Sequence, residues 1–189
     1  FGVLILMGTG FLPILGIKFS WVTAHWVTGL VLTIAIVLHM LRSLLWRRLK
    51  QMWFGLRDIK DTFATLGWFF RLKGRAPKPG KYSPAQKLIH HGLAVVVLIS
   101  VVTGLLMTVK VDTPLWERDP YWLSTDTWGT VYVLHGFSSL FLVTMIMLHI
   151  YFSLRPEKRV YLRSMRTGRM TRDEFEDYHD PDRWLENKT

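Results

Sequence analysis

The sequence predicts an all-α fold: an integral membrane four-helix bundle with an amphipathic interfacial helix and a short cytoplasmic tail. Three observations predict it. Half of the 189 residues are hydrophobic, and the mean hydropathy is +0.21. The apolar residues gather into long runs, and a helix needs roughly twenty of them to cross a bilayer. Nothing alternates with period two over a strand length. In hydrocarbon every backbone polar group must be paired internally, which makes helices the natural spanning element. The formal charge of +10 and the pI near 10.1 alone suit a nucleic-acid binder. Beside such apolar runs they read instead as basic cytoplasmic segments of a membrane protein, with lipid and not nucleic acid as the partner. The absence of cysteine excludes disulfides, thiolate metal sites and thioether-linked prosthetic groups.

Three complete spans are expected: about 21–45, "WVTAHWVTGLVLTIAIVLHMLRSLL"; about 88–109, "LIHHGLAVVVLISVVTGLLMTV"; and about 129–154. The opening run "FGVLILMGTGFLPIL", about 1–15, is short for a span. It reads as the remainder of a first helix that begins upstream, so that helix is truncated at its N-terminal end. A cleaved signal peptide, the alternative, would not leave a long apolar run at the mature start. A membrane domain 1–154 with a loop 46–87 is then followed by a tail, 155–189.

The loops set the orientation. Residues 42–87 hold twelve basic groups, from Arg42 to Lys87, against two acids, Asp58 and Asp61. The connection near 16–20 has only Lys18, and that near 110–128 has Lys110 and Arg118. By the positive-inside rule the loop and the C-terminus are cytoplasmic. Within the loop, Trp53, Leu56, Ile59, Phe63, Leu66 and Phe70 recur at steps of three or four. That pattern fits an amphipathic helix in the membrane interface, or one packed on a partner subunit. "KGRAPKPGKYSP" reads as a Pro/Gly loop, and Thr171 with Glu174 has capping-box spacing for a short helix in the tail.

Histidine is costly in a membrane run, yet His135 and His149 share the last span, fourteen positions apart. His25 and His39 repeat that interval on the second. Fourteen residues rise roughly 21 Å and turn about 1400°, close to four whole turns, so both members face one side of the helix. The two helices run parallel because one antiparallel helix separates them. His25 and His135 then lie at the outer depth, His39 and His149 at the cytoplasmic depth. Two imidazoles across a helix gap are the axial ligands of a six-coordinate haem b, and ligation relieves the imidazole of its isolation in lipid. Two matched pairs point to two haem b, a transmembrane electron path. Gly29, one turn after His25, and Gly136 offer room for a porphyrin, although glycine is common at any membrane helix contact.

At these residues the chain resembles the membrane cytochrome b subunits of respiratory formate dehydrogenases and nickel–iron hydrogenases. The resemblance covers nearly the whole chain. It includes "HWVTG" at the start of the second helix and "GKYSPAQK" before the third. It continues through "HG" to "HIYFSL" on the fourth and the tail "SMRTGRMTRDEFEDYHDPDRW". It implies that His25 and His135 hold the outer haem iron and that His149 holds the inner one. The family's second inner ligand stands at the cytoplasmic start of the first helix, upstream of Phe1. His39 is extra to the formate dehydrogenase pattern and gives the pairing seen in cytochrome b of the bc complexes, so the partner of His149 is either His39 or that upstream residue. The resemblance also implies a quinone site, for menaquinone or ubiquinone, at Tyr82, Ser83, Gln86 and Lys87. Ser83 stands where the family usually has Asn. The alternative is that this segment only caps the third helix. His90 and His91, and Arg42 and Arg155 at helix ends, are candidates for proton transfer or haem-propionate pairing, or else interfacial anchors.

The reading that follows is a dihaem b membrane anchor, the quinone-reactive electron-transfer subunit of an oxidoreductase complex. It would sit in the bacterial inner membrane. It would link a redox partner on the outer face, an iron–sulfur or multihaem cytochrome subunit, to a quinone near the cytoplasmic face. A free-standing transmembrane cytochrome b is the first alternative. A His-based metal or proton transporter is the second, and it lacks the carboxylates that transporters carry within their spans.

Overall fold

The computed structural model describes residues 1–45, 52–70 and 77–186. The basic residues Arg47, Arg48, Lys50, Arg71, Lys73 and Arg75 of the expected cytoplasmic loop lie outside the described residues, as does the start of its Pro/Gly stretch. Among the described residues eight α-helices follow one another: α1 Gly2–Phe11, α2 Trp21–Leu45, α3 Leu56–Phe69, α4 Pro84–Thr108, α5 Thr125–Leu154, α6 Arg159–Thr167, α7 Arg172–Tyr178 and α8 Pro181–Glu186. A 3-10 turn, Pro156–Lys158, links α5 to α6. Among the described residues there is no strand. Helices α2, α4 and α5 are long and apolar enough to cross a membrane; α1, with 10 residues, is apolar but short.

The ends differ from the expected ones for local reasons. Helix α1 stops at Phe11 because Pro13 brings no N–H. The chain then turns through Leu15 N–H to Leu12 C=O and Gly16 N–H to Pro13 C=O, with Gly16 at φ +84°. Helix α4 begins at Pro84, four residues before the expected start. Pro84 takes the first helical position, and Ser83 and Gln86 cap it reciprocally: Ser83 N–H donates to Gln86 Oε1 (2.8 Å) and Gln86 N–H to Ser83 Oγ (3.3 Å). Helix α5 starts at Thr125, where Ser124 Oγ accepts the Thr127 N–H.

The chain divides into two compact units, 1–42 with 93–146 and 43–92 with 147–189. In the first unit the usual burial order is inverted. Thr9, Thr103 and Ser138 are buried beside Trp128 and Val131. Val31, Ile34 and Leu38 of α2, Val95 and Leu98 of α4, and Val133 and Phe137 of α5 are exposed. Hydroxyls turned inward and aliphatic chains turned outward suit hydrocarbon as solvent, where small and polar residues, not large apolar ones, draw helices together. The connection from α4 to α5 is pinned by Asp119 N–H to Val109 C=O (2.8 Å), Trp116 Nε1–H to Thr108 C=O (3.1 Å) and Trp128 Nε1–H to Pro120 C=O (3.0 Å). The Lys110 ammonium lies over the Trp128 and Tyr132 rings at 4.9 and 5.0 Å. Such side chains, apolar in body and polar at one tip, are those favoured at a membrane–water boundary.

The second unit is organised by charge. Asp58 in the first turn of α3 accepts the Gly55 N–H (2.8 Å) and both of its oxygens lie 2.9 Å from Lys87 Nζ of α4. This pair is nearly buried, with side-chain exposures of 12% and 13% for Lys87 and Asp58. One turn on, Asp61 meets the Arg183 guanidinium of α8 at 2.7 Å. The segment before α4 is gripped from the tail as well. Asp180 N–H donates to Pro79 C=O (2.9 Å), and His179 Nδ1–H donates to Gly80 C=O (2.7 Å). His179 is only 5% exposed, enclosed by Tyr161, Phe175 and Trp184. The capping box expected at Thr171 and Glu174 is present and starts α7, and Glu174 also pairs with Arg163 of α6.

Two outcomes are expected. Asp58→Asn leaves a buried ammonium without its counter-charge and should destabilise the protein by about 3 kcal/mol; Asp58→Asn with Lys87→Met should recover most of it, as read by thermal unfolding in detergent. The second concerns Glu174, which the Arg163 guanidinium and the Thr171 groups hold at a pKa of about 2 against an ordinary 4.5. A depressed carboxyl stabilises fully above its unfolded value and loses that contribution as pH falls through the folded one. Amide exchange protection at Thr171 and Glu174 should therefore be flat above about pH 4.5 and decline toward pH 2. Glu174→Gln should remove that dependence.

Candidate functional site

The first unit brings two of the expected ligands together. His25 lies in the second turn of α2, and His135 lies within α5. Their ring centroids are 6.3 Å apart, with the planes inclined at 76°. A metal–imidazole bond is about 2.0 Å and a ring nitrogen lies about 1.1 Å from its ring centre, so two imidazoles on opposite sides of one iron need centroids about 6.2 Å apart. The observed separation fits that requirement. Among the described residues no group of three or more His, Asp or Glu suits a bare metal ion. Two imidazoles suffice for a haem iron, whose porphyrin supplies the other four nitrogens.

Each ring is fixed from its far side. His25 Nδ1 lies 2.8 Å from Thr9 Oγ1 of α1. His135 Nδ1 lies 3.1 Å from the Ser100 C=O and 3.0 Å from Thr103 Oγ1, both of α4. Trp21 stands edge-on to His25, with centroids 6.1 Å apart. Two glycines allow the approach. A Cβ at Gly10 would stand 3.6 Å from His25 Cε1, and one at Gly104 only 3.1 Å from His135 Cε1. Of the glycines singled out from the sequence, Gly29 faces Leu6 and Gly136 has nothing near its absent Cβ. The glycine that lets His135 seat is Gly104.

The inner candidates are not brought together within one unit. His39 belongs to the first and His149 to the second, and both are exposed. Arg42 is in the last turn of α2, and Arg155 precedes the 3-10 turn after α5; both are exposed. His91 Nδ1–H donates to the Lys87 C=O (2.8 Å), and His90 stands at right angles to it with centroids 5.9 Å apart.

The quinone candidates divide. Ser83 and Gln86 are engaged with each other as the α4 cap. Tyr82 and Lys87 line a cavity of about 330 Å³ in the second unit, with Trp53, Asp58, Asp61 and Arg183 around it. In sequence Asp58 and Asp61 are only the two acids of a basic loop, and nothing local marks His179. The signal for Asp58 was a carboxylate on the polar side of a periodic helix. For Thr9 and Thr103 it was a Thr-Gly step within each apolar run, "GTGF" and "VTGL".

No curated protein matches the chain. The family described as prokaryotic cytochrome b561 matches residues 1–168, in line with the nickel–iron hydrogenase type to which the motifs pointed. With three apolar helices of spanning length and two imidazoles facing each other beside that match, the chain belongs to the prokaryotic cytochrome b561 family, and is a membrane cytochrome b that binds haem b and transfers electrons.

Proposed function

We propose that the protein is the dihaem anchor of a respiratory oxidoreductase, passing electrons between a partner subunit on the outer face of the inner membrane and a quinone near the cytoplasmic face. The observation that carries this reading is the 6.3 Å separation of His25 and His135, each ring held through Nδ1. In this reading His25 and His135 hold the outer iron. His149 holds the inner one, with His39 or a histidine upstream of Phe1 as its partner. When bound, haem b supplies a one-electron carrier. Helices α1, α2, α4 and α5 form the membrane bundle of this reading, and α3 lies in the interface. The basic loop, enriched as the positive-inside rule requires, and the tail face the cytoplasm, leaving the outer face for an iron–sulfur or multihaem partner.

Reducing a quinone to a quinol takes two electrons and two protons. Tyr82 and Lys87 place a hydroxyl and an ammonium on the wall of one cavity, and Asp58 is bonded to that ammonium through both oxygens. We assign this cavity to the quinone head, menaquinone or ubiquinone. Lys87 with Asp58 is the proton-exchanging pair and Tyr82 the hydrogen-bond donor. Arg42 and Arg155, at helix ends, are assigned to propionates, and His90 and His91 to proton exchange with the cytoplasm.

Purified protein should show a b-type α-band and two haems per chain. His25→Ala and His135→Ala should each retain one haem, and His149→Ala should retain the other. Loss of a haem in His39→Ala assigns the inner pair to α2; two retained haems assign it to the upstream residue. Lys87→Met should slow quinol-driven haem reduction about 100-fold with an unchanged spectrum. Absence of a b-type band, or two haems retained in His25→Ala, would overturn the reading.

A further inference from the structure

The two outer imidazoles sit on different helices, yet each is held by the same device. On α1, Thr9 Oγ1 donates its proton back to the Ile5 C=O at 2.7 Å. On α4, Thr103 Oγ1 donates to the Ile99 C=O at 2.6 Å. Each hydroxyl has one proton, and both protons are committed to the carbonyl four residues earlier. Only lone pairs then remain to face His25 Nδ1 at 2.8 Å and His135 Nδ1 at 3.0 Å. In this arrangement both histidines carry their proton on Nδ1. The Ser100 carbonyl, an acceptor with nothing to donate, imposes the same answer on His135 independently. Both threonines are buried, at 7% and 5% exposure, so water does not compete for these bonds. The next residue is glycine in each case, and each glycine stands against the Cε1 edge of the ring that its threonine binds.

We propose that the Thr9–Gly10 and Thr103–Gly104 steps are a matched pair of positioning elements that fix the tautomer and tilt of His25 and His135, and thereby the reduction potential at the outer haem. The proposal rests on the ligation reading above and deepens it. With Nδ1 protonated, each ring keeps the Nε2 lone pair as its only metal-binding atom. A hydrogen bond from Nδ1–H raises the basicity of the ligand and favours the ferric iron. A neutral hydroxyl does this more gently than a carboxylate would. The two steps are unequal in one respect. Thr103 shares its histidine with the Ser100 carbonyl, whereas Thr9 is the partner of His25 Nδ1 among the described residues.

The test uses the full chain in detergent, with haem count, potentiometric titration and low-temperature electron paramagnetic resonance. Thr9→Val should keep two haems per chain, shift the midpoint of one haem to more positive potential, move its low-spin g values and weaken hemin rebinding about 10- to 100-fold. Thr103→Val should shift the same haem less. Thr9→Ser should restore the native potential. Gly104→Ala, whose Cβ would press on the ring at 3.1 Å, should alter the g values with the hydroxyls intact. Loss of one haem in Thr9→Val but not in Thr9→Ser also supports the proposal. Native potential and g values in Thr9→Val, or equal losses in the Val and Ser variants, overturn it. His25→Ala separates the two readings: if one haem is lost there while Thr9→Val is silent, ligation stands and the positioning role falls, and if both haems remain, the ligation reading itself falls.

Discussion

An imidazole in hydrocarbon has two nitrogens and no water to satisfy them, and this constraint organises the first unit. One nitrogen must find an acceptor supplied by the protein, or the residue is too costly to keep there. Thr9, Thr103 and the Ser100 carbonyl are those acceptors, and the two threonines are buried while other aliphatic side chains of the same helices face outward. The second nitrogen, Nε2, is the one such a ring would offer to an iron.

The spanning helices were legible in the sequence because length and hydropathy are properties of a single segment. The fourteen-residue interval was legible for the same reason, since helical rise and rotation convert it directly into depth and face. The pairing of His25 with His135 could be inferred, because two helices with equal spacing must match levels if they run parallel. The supports could not. Thr9 is sixteen residues from His25, and Thr103 is thirty-two from His135. A threonine in an apolar helix has a sufficient local explanation in its bond to the carbonyl one turn back. Only the approach of a second helix shows that its lone pairs have a further use. Gly104 was hidden likewise, because what matters is the ring on the other helix. That the segment at Ser83 and Gln86 caps a helix was one of its two readings in sequence, but not the consequence: the cap engages those two side chains and leaves Tyr82 and Lys87 lining the cavity.

The second unit answers a different solvent with a different chemistry. Its segment before α4 carries proline and glycine, which form no regular ladder of their own. It is held instead by contacts from both sides. Asp58 reaches forward to Lys87 in the first turn of α4, and His179 and Asp180 reach back to Gly80 and Pro79. His179 holds its carbonyl from inside an aromatic cluster, which shields that bond from water. The tail is therefore part of the scaffold of the cavity wall. Arg183 makes the link explicit, since it bonds Asp61 of α3 and lines the same cavity.

These two chemistries bear on how an electron carrier and a quinone site differ in what they ask of a protein. Electron transfer is fastest when the ligands already stand where both oxidation states want them, so that nothing reorganises as charge arrives. A pair of imidazoles set 6.3 Å apart, each tied by Nδ1 to a helix that does not carry it, meets that demand with rigid elements and short bonds. Quinone chemistry asks the opposite, because two protons must move and some group must change its bonding partner at each turnover. An ammonium shared between two carboxylate oxygens has an alternative state within reach, whereas a buried threonine held between a carbonyl and an imidazole has little freedom to change partners. In the proposed reading the two are complementary: the hydroxyls beside His25 and His135 remove freedom where only electrons pass, and the Lys87–Asp58 pair keeps it where protons must follow.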